Sequence, residues 1–125
     1  MEISIDIGSE QPIFAQLIGQ IKQAVMKGEL SPGIALPPIR QLASDLGINQ
    51  NTVAKAYKVL ERDQVIVAKG YKGTFIHDDA KTNSSIDWEE KASSIMTKTV
   101  GNLRETGLTD SEIRIAFSKA MKESR

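Results

Sequence analysis

Cysteine is absent from the 125 residues, which excludes a disulfide framework, a thiol nucleophile and any thiolate-bound zinc or iron–sulfur centre. Histidine occurs once, at His77, so multi-histidine metal sites are excluded too. No apolar run approaches the ~20 residues a membrane span needs. The opening MEISIDIGSE lacks the basic-then-apolar pattern of a secretory signal. A soluble, cytoplasmic chain with no membrane partner is expected. Charge of either sign is not in excess: 16 Lys and Arg face 16 Asp and Glu. Taken alone, that balance argues against a nucleic-acid partner. The length suits one domain, or a small domain with an appendage, and is enough to build a core.

Catalysis finds little footing. A working carboxylate pair must converge in a cleft, yet the acids are scattered, and Glu89 and Glu90 are helical neighbours that point apart. His77 has no second histidine and no nucleophile beside it. Gly70 and Gly73 lie between two strand-like runs rather than between a strand and a helix, so they form no phosphate cradle. No enzyme, cofactor or metal is expected.

What is present is ordered punctuation. Ile3, Ile5 and Ile7 alternate as in a short strand with one buried face. Pro12 opens a helix over 12–27 whose stripe is Phe14, Leu17, Ile18, Ile21 and Val25, and Gly28 stops it. Ser31-Pro32-Gly33 is a turn. Pro37-Pro38 starts a second helix with Ile39, Leu42, Ala43 and Leu46 inward, and Gly47 ends it. Asn49 caps a third helix with Val53, Ala56, Tyr57 and Leu60 on its buried face. Two β-rich runs, 65–68 and 74–76, flank the basic loop Lys69-Gly70-Tyr71-Lys72-Gly73. Helix, helix-turn-helix and hairpin in this order predict a winged helix over residues 1–78. Residues 79–86 are polar and read as a linker. Two amphipathic helices, 87–106 and 110–123, then form an antiparallel hairpin, the second opened by the capping box Thr109-Asp110-Ser111-Glu112. The fold class is α+β: an N-terminal winged helix-turn-helix followed by a two-helix dimerisation region, 87–125.

Charge becomes informative when read locally. Between Arg40 and Lys72 six basic residues meet three acidic ones, within a neutral chain. Such cations neutralise phosphates and release counterions. The third helix begins Asn49-Gln50-Asn51-Thr52. Asn and Gln suit bidentate pairing with adenine, and Thr can bond a base or pack on a thymine methyl. A recognition helix presents its N-terminal residues to base edges. The candidate DNA contacts are therefore Arg40, Asn49, Gln50, Asn51, Thr52 and Lys55, with Lys69, Gly70, Tyr71, Lys72 and Gly73 in the wing.

Leu36-Pro37-Pro38-Ile39-Arg40-Gln41-Leu42-Ala43, Leu46-Gly47-Ile48-Asn49, Asn51-Thr52-Val53-Ala54-Lys55-Ala56-Tyr57, Leu60-Glu61 and Gly73-Thr74-Phe75-Ile76 resemble the GntR family of bacterial transcription regulators. The short two-helix C-terminal region resembles its YtrA-type subfamily. The resemblance implies a homodimeric winged-helix repressor on a palindromic double-stranded operator. Arg40 would lie near the turn on phosphate or base, residues 49–52 in the major groove, and the wing on the minor groove or backbone. Three positions depart from the family pattern. Gln50 stands where Arg or Pro is common, so a guanine-reading arginine is absent. Gln64 stands where a glycine usually ends the recognition helix and has to adopt the left-handed conformation. Tyr71 replaces an expected wing glycine.

Trp88, Ile95, Met96, Val100, Leu103, Ile113, Phe117 and Met121 form apolar stripes too large for two short helices to bury alone, and a second copy would cover them. Two other functions stay open. The winged helix could serve as a protein–protein module, or a pocket at the dimer interface could sense a small molecule, although few polar groups converge there.

Overall fold

A computed structural model describes residues 2–124. They fall into two compact units that divide between Ile86 and Asp87. In the first unit the elements are α1 (Ile13–Met26), β1 (Ala35–Leu36), α2 (Ile39–Leu46), α3 (Gln50–Arg62), β2 (Ile66–Ala68), β3 (Thr74–Ile76) and α4 (Ala80–Ser84). Helices α1 and α2 each begin behind a proline, Pro12 and Pro38, that sits in the extended conformation and needs no amide partner. Gly47 closes α2 in the left-handed region (φ 66°), letting the Ile48 amide turn back onto the Ala43 carbonyl.

The core is aliphatic. Leu17 and Ile21 of α1, Val53 and Leu60 of α3, Val65, Ile66 and Ile76 are fully buried together. Phe14, Ile18, Ile39 and Leu46 pack partly buried around them. Helix α3 is clasped by α1 and α2 and leads into the sheet, whose order is β1-β3-β2, all antiparallel. The expected hairpin is its β2–β3 pair, in the register Val67 opposite Phe75. The two-residue strand β1, unforeseen, pairs Ala35 with Phe75 and Leu36 with Thr74. It ties the α1–α2 connection to the wing.

Two expectations need correction. Residues 3–7 form no strand: Ile3 and Ile5 pack against the core, whereas Ile7 is 81% exposed. The segment is held by side chains instead. The Gln20 amide exchanges two hydrogen bonds with the backbone of Ser4 (2.9 and 2.7 Å), and Gln16 exchanges two with Asp6 (both 2.9 Å). Four helical residues advance about 6 Å and two extended residues slightly more, so glutamines at i and i+4 match alternate positions of an extended chain. Residues 79–86, expected as a linker, contain α4. Its Ala80 is completely buried and the helix packs on α1, inside the first unit.

The second unit is the hairpin of α5 (Trp88–Glu105) and α6 (Asp110–Glu123). Asp87 caps α5 by accepting from the Glu90 amide, and the capping box between Thr109 and Glu112 forms in both directions. Gly107 takes a left-handed φ of 94° in the turn, and Arg104 bridges it by binding Asp110 at 2.9 Å. Among the described residues no helix is long and apolar enough to cross a membrane.

Candidate nucleic-acid interface

The helix-turn-helix presents the start of α3 to solvent. Asn49 does act as the cap: its side-chain oxygen accepts from the Asn51 amide at 2.7 Å. Gln50 and Asn51 are exposed, and no partner takes their side-chain amides among the described residues. They therefore keep their donor and acceptor pairs for an external group. Thr52 is half-buried beside them. Arg40 projects from the first turn of α2, exposed and outside every ion pair among the described residues.

The angle between these helices is pinned by a contact that the apolar stripe alone did not reveal. The buried Tyr57 hydroxyl of α3 donates to the Pro37 carbonyl, just before α2, at 2.6 Å. Burial pushes this phenol up to about 12, so it stays protonated as the donor this bond requires. Tyrosine rather than another apolar residue in the stripe is the signal that could have found it.

The wing tip is a single 3-10 turn, Gly70–Lys72, closed by the Lys69 amide on the Gly73 carbonyl at 2.8 Å. Gly70 (φ 60°) and Gly73 (φ 109°) carry the left-handed backbone, which frees Tyr71 from needing it. Tyr71 stands 96% exposed, next to exposed Lys72. Lys69 leans its ammonium over the Phe75 ring, 5.3 Å from the centroid.

The positive stretch is not uniformly available. Arg62 (2.8 Å) and Lys22 (3.0 Å) both bind Asp63 at the far end of α3, about 20 Å from Asn49 along the axis. Burial by itself would raise the Asp63 carboxyl, but those hydrogen bonds and charges outweigh it and hold the group below the usual carboxylate range. Lys55 sits over the Phe14 ring of α1, 3.8 Å from its centroid, which fixes the ammonium in place while leaving it exposed. Arg40, Lys55, Lys58, Lys69 and Lys72 remain exposed and outside every ion pair among the described residues, Lys58 lying a turn farther than Lys55 from Asn49.

Residues 14–76, half of the chain, match the family model "Bacterial regulatory proteins, gntR family". The chain belongs to the gntR family. It is 46% identical over 80 residues to the HTH-type transcriptional repressor YtrA of Bacillus subtilis, a match covering 64% of this chain and 62% of that relative. It is 38% identical over 110 residues to the HTH-type transcriptional regulator Rv1152 of Mycobacterium tuberculosis, covering 88% and 86%. Among solved structures, YtrA of Sulfolobus acidocaldarius, a GntR-family transcription factor, superposes with a TM-score of 0.60 at 36% identity, covering 79% of this chain and 97% of that one. These similarities support the YtrA-type subfamily.

Against the gntR pattern, the departure at Gln64 takes the form its position demands. Its φ is 57°, the one left-handed non-glycine among the described residues, so the Val65 amide can reach the Leu60 carbonyl. In the C-terminal hairpin of this gntR chain, Ile113 is 8% exposed and thus covered without a partner, while Val100 and Leu103 are half-buried. Trp88, Ile95, Met96, Phe117 and Met121 remain exposed, as does Ile115, which lies outside the expected stripe. His77 contributes to local structure: its Nδ1 accepts from the Asp79 amide at 2.9 Å. No cluster of three acidic or histidine side chains suited to a metal occurs among the described residues.

Proposed function

We propose that this chain is a DNA-binding transcriptional repressor that acts as a homodimer on a palindromic double-stranded operator. The observation that carries the reading is the pair of exposed amides, Gln50 and Asn51, at the start of α3, with no side-chain partner among the described residues. Each can bond adenine N6 and N7 in the major groove, with Thr52 against a neighbouring base edge. Arg40, Lys55, Lys69 and Lys72 bind phosphates, and Tyr71 with Gly70 and Gly73 brings the wing against the backbone or minor groove. The exposed faces of Trp88, Ile95, Met96, Phe117 and Met121 meet those of a second copy, joined at their edges by the half-buried Val100 and Leu103. Joining two modestly basic units raises their effective concentration on a two-fold operator, which offsets the neutral overall charge. Repression follows by occlusion of the promoter.

The decisive experiment selects bound sequences from random duplex DNA and titrates the winner at several salt concentrations. If four cations per copy each neutralise one phosphate, log affinity falls with log salt at a slope of about −7. An enriched two-fold motif with that steep slope is expected. Binding that ignores both sequence and salt would overturn the reading.

A further inference from the structure

The chain leaves the first unit through α4, and that helix is attached to the end of α3 at an unusual point. The Asn83 side-chain amide donates to the Gln64 carbonyl at 2.8 Å. Gln64 is the left-handed residue that ends α3, a conformation that strains any side chain with a Cβ. Ala80, at the start of α4, is fully buried, and the Ser84 hydroxyl at its end is buried with no hydrogen-bond partner. Strain and an orphaned hydroxyl at one joint are features that local stability alone would remove. Only Ser85, Ile86 and Asp87 then separate α4 from the first residue of α5. Whatever fixes α4 therefore fixes where the chain departs toward the hairpin.

We propose that Asn83 is a positioning residue: by holding the Gln64 carbonyl it couples the end of the recognition helix to the exit of the chain and thereby sets the half-site spacing the dimer accepts. This rests on the dimeric operator reading above. Gln64 contributes through its backbone, and Asn83 through a donor that neither Ala nor Asp supplies. One hydrogen bond lost at an exposed joint leaves the unit folded, with Ala80 still buried in the core, but frees the C-terminal end of α4, so operators of altered spacing become nearly as good as the best one.

The test measures affinity of the full chain for operators whose half-sites are moved apart or together by one and two base pairs, and for a single half-site. Wild-type protein, Asn83→Ala and the isosteric Asn83→Asp are compared, with thermal unfolding of each recorded. The two variants are expected to lose about fivefold on the optimal operator, because only a fraction of the protein then holds the competent exit geometry before binding. They should also flatten the spacing profile while keeping wild-type affinity for the single half-site. A sharp spacing optimum retained by both variants would overturn the role of Asn83. Loss on every DNA in proportion to lowered stability would also overturn it, as the mark of a merely structural bond. A wild type that binds one half-site as tightly as two would instead overturn the dimeric reading itself, before the variants are considered.

Discussion

Asn51 has a helical duty and a proposed recognition duty, and they separate cleanly. Its backbone amide satisfies the Asn49 cap, whereas its side chain has no partner among the described residues. Asn51→Ala therefore keeps the helix start and removes only an external partner. Its melting temperature should stay within a degree or two of wild type, while discrimination against a substituted base pair falls by about 1–3 kcal/mol in competition binding. Gln64 offers the opposite case, a residue without an outward task. Gln64→Gly removes the left-handed strain at φ 57° and keeps the carbonyl that Asn83 uses. Relief of about 1–2 kcal/mol, less the added backbone entropy of glycine, predicts a gain near 0.5–1 kcal/mol in urea unfolding. A destabilised variant would show that the side chain has an unrecognised role.

Among the elements, α1 and α3 are joined at their base by Lys22–Asp63–Arg62 and nearer the reading end by Lys55 over Phe14. The first of these joints is titratable. Because folding lowers the Asp63 pKa, its contribution to stability is complete above the free value of 3.8 and disappears as pH falls from there through the lowered folded value. Wild type should then lose its stability margin over Asp63→Asn below about pH 4, and a margin that persists under more acid conditions would argue against the ion pair. Helices α1, α2, α3, α5 and α6 were legible in the sequence because each carries an apolar stripe bounded by a proline, a cap or a glycine. Strand β1 was not, since two residues between a turn and a pair of prolines cannot display a period. Helix α4 was hidden by Lys81-Thr82-Asn83-Ser84, a loop-like composition anchored by Ala80 alone. Candidate DNA contacts were legible as types and order, but the sequence could not tell that Lys55 and Lys69 lean on rings or that Arg62 is occupied at the wrong end of α3.

For the whole molecule the question is what covers the hairpin. Ile95 is 66% exposed and Phe117 and Met121 about half so, an arrangement a single chain rarely tolerates. Phe117→Glu places a charge in that face without touching the capping box or the Arg104–Asp110 bridge. Self-association should weaken about a hundredfold, from lost apolar burial and a charge that has to be desolvated. Sedimentation velocity would then show monomer at concentrations where the proposed wild-type dimer is populated, and operator affinity should fall with it. Equal sedimentation of the two proteins would place the dimer contact elsewhere. Ile115, 70% exposed among Arg114, Lys119 and Lys122, lies outside the expected stripe, so Ile115→Ser should leave both readouts unchanged.

The paired glutamines of α1 have a consequence for isotope labelling. The amides of Ser4 and Asp6 are each bound to a side-chain oxygen, at alternate positions of a segment that joins no sheet. Proton exchange along residues 3–7 should accordingly be slow at every second amide, the protection comb of an edge strand. Replacing Gln16 and Gln20 with Ala removes the side-chain acceptors of these two amides together with the donors to the Ser4 and Asp6 carbonyls. Exchange at Ser4 and Asp6 would then quicken while the helix behind them stays protected.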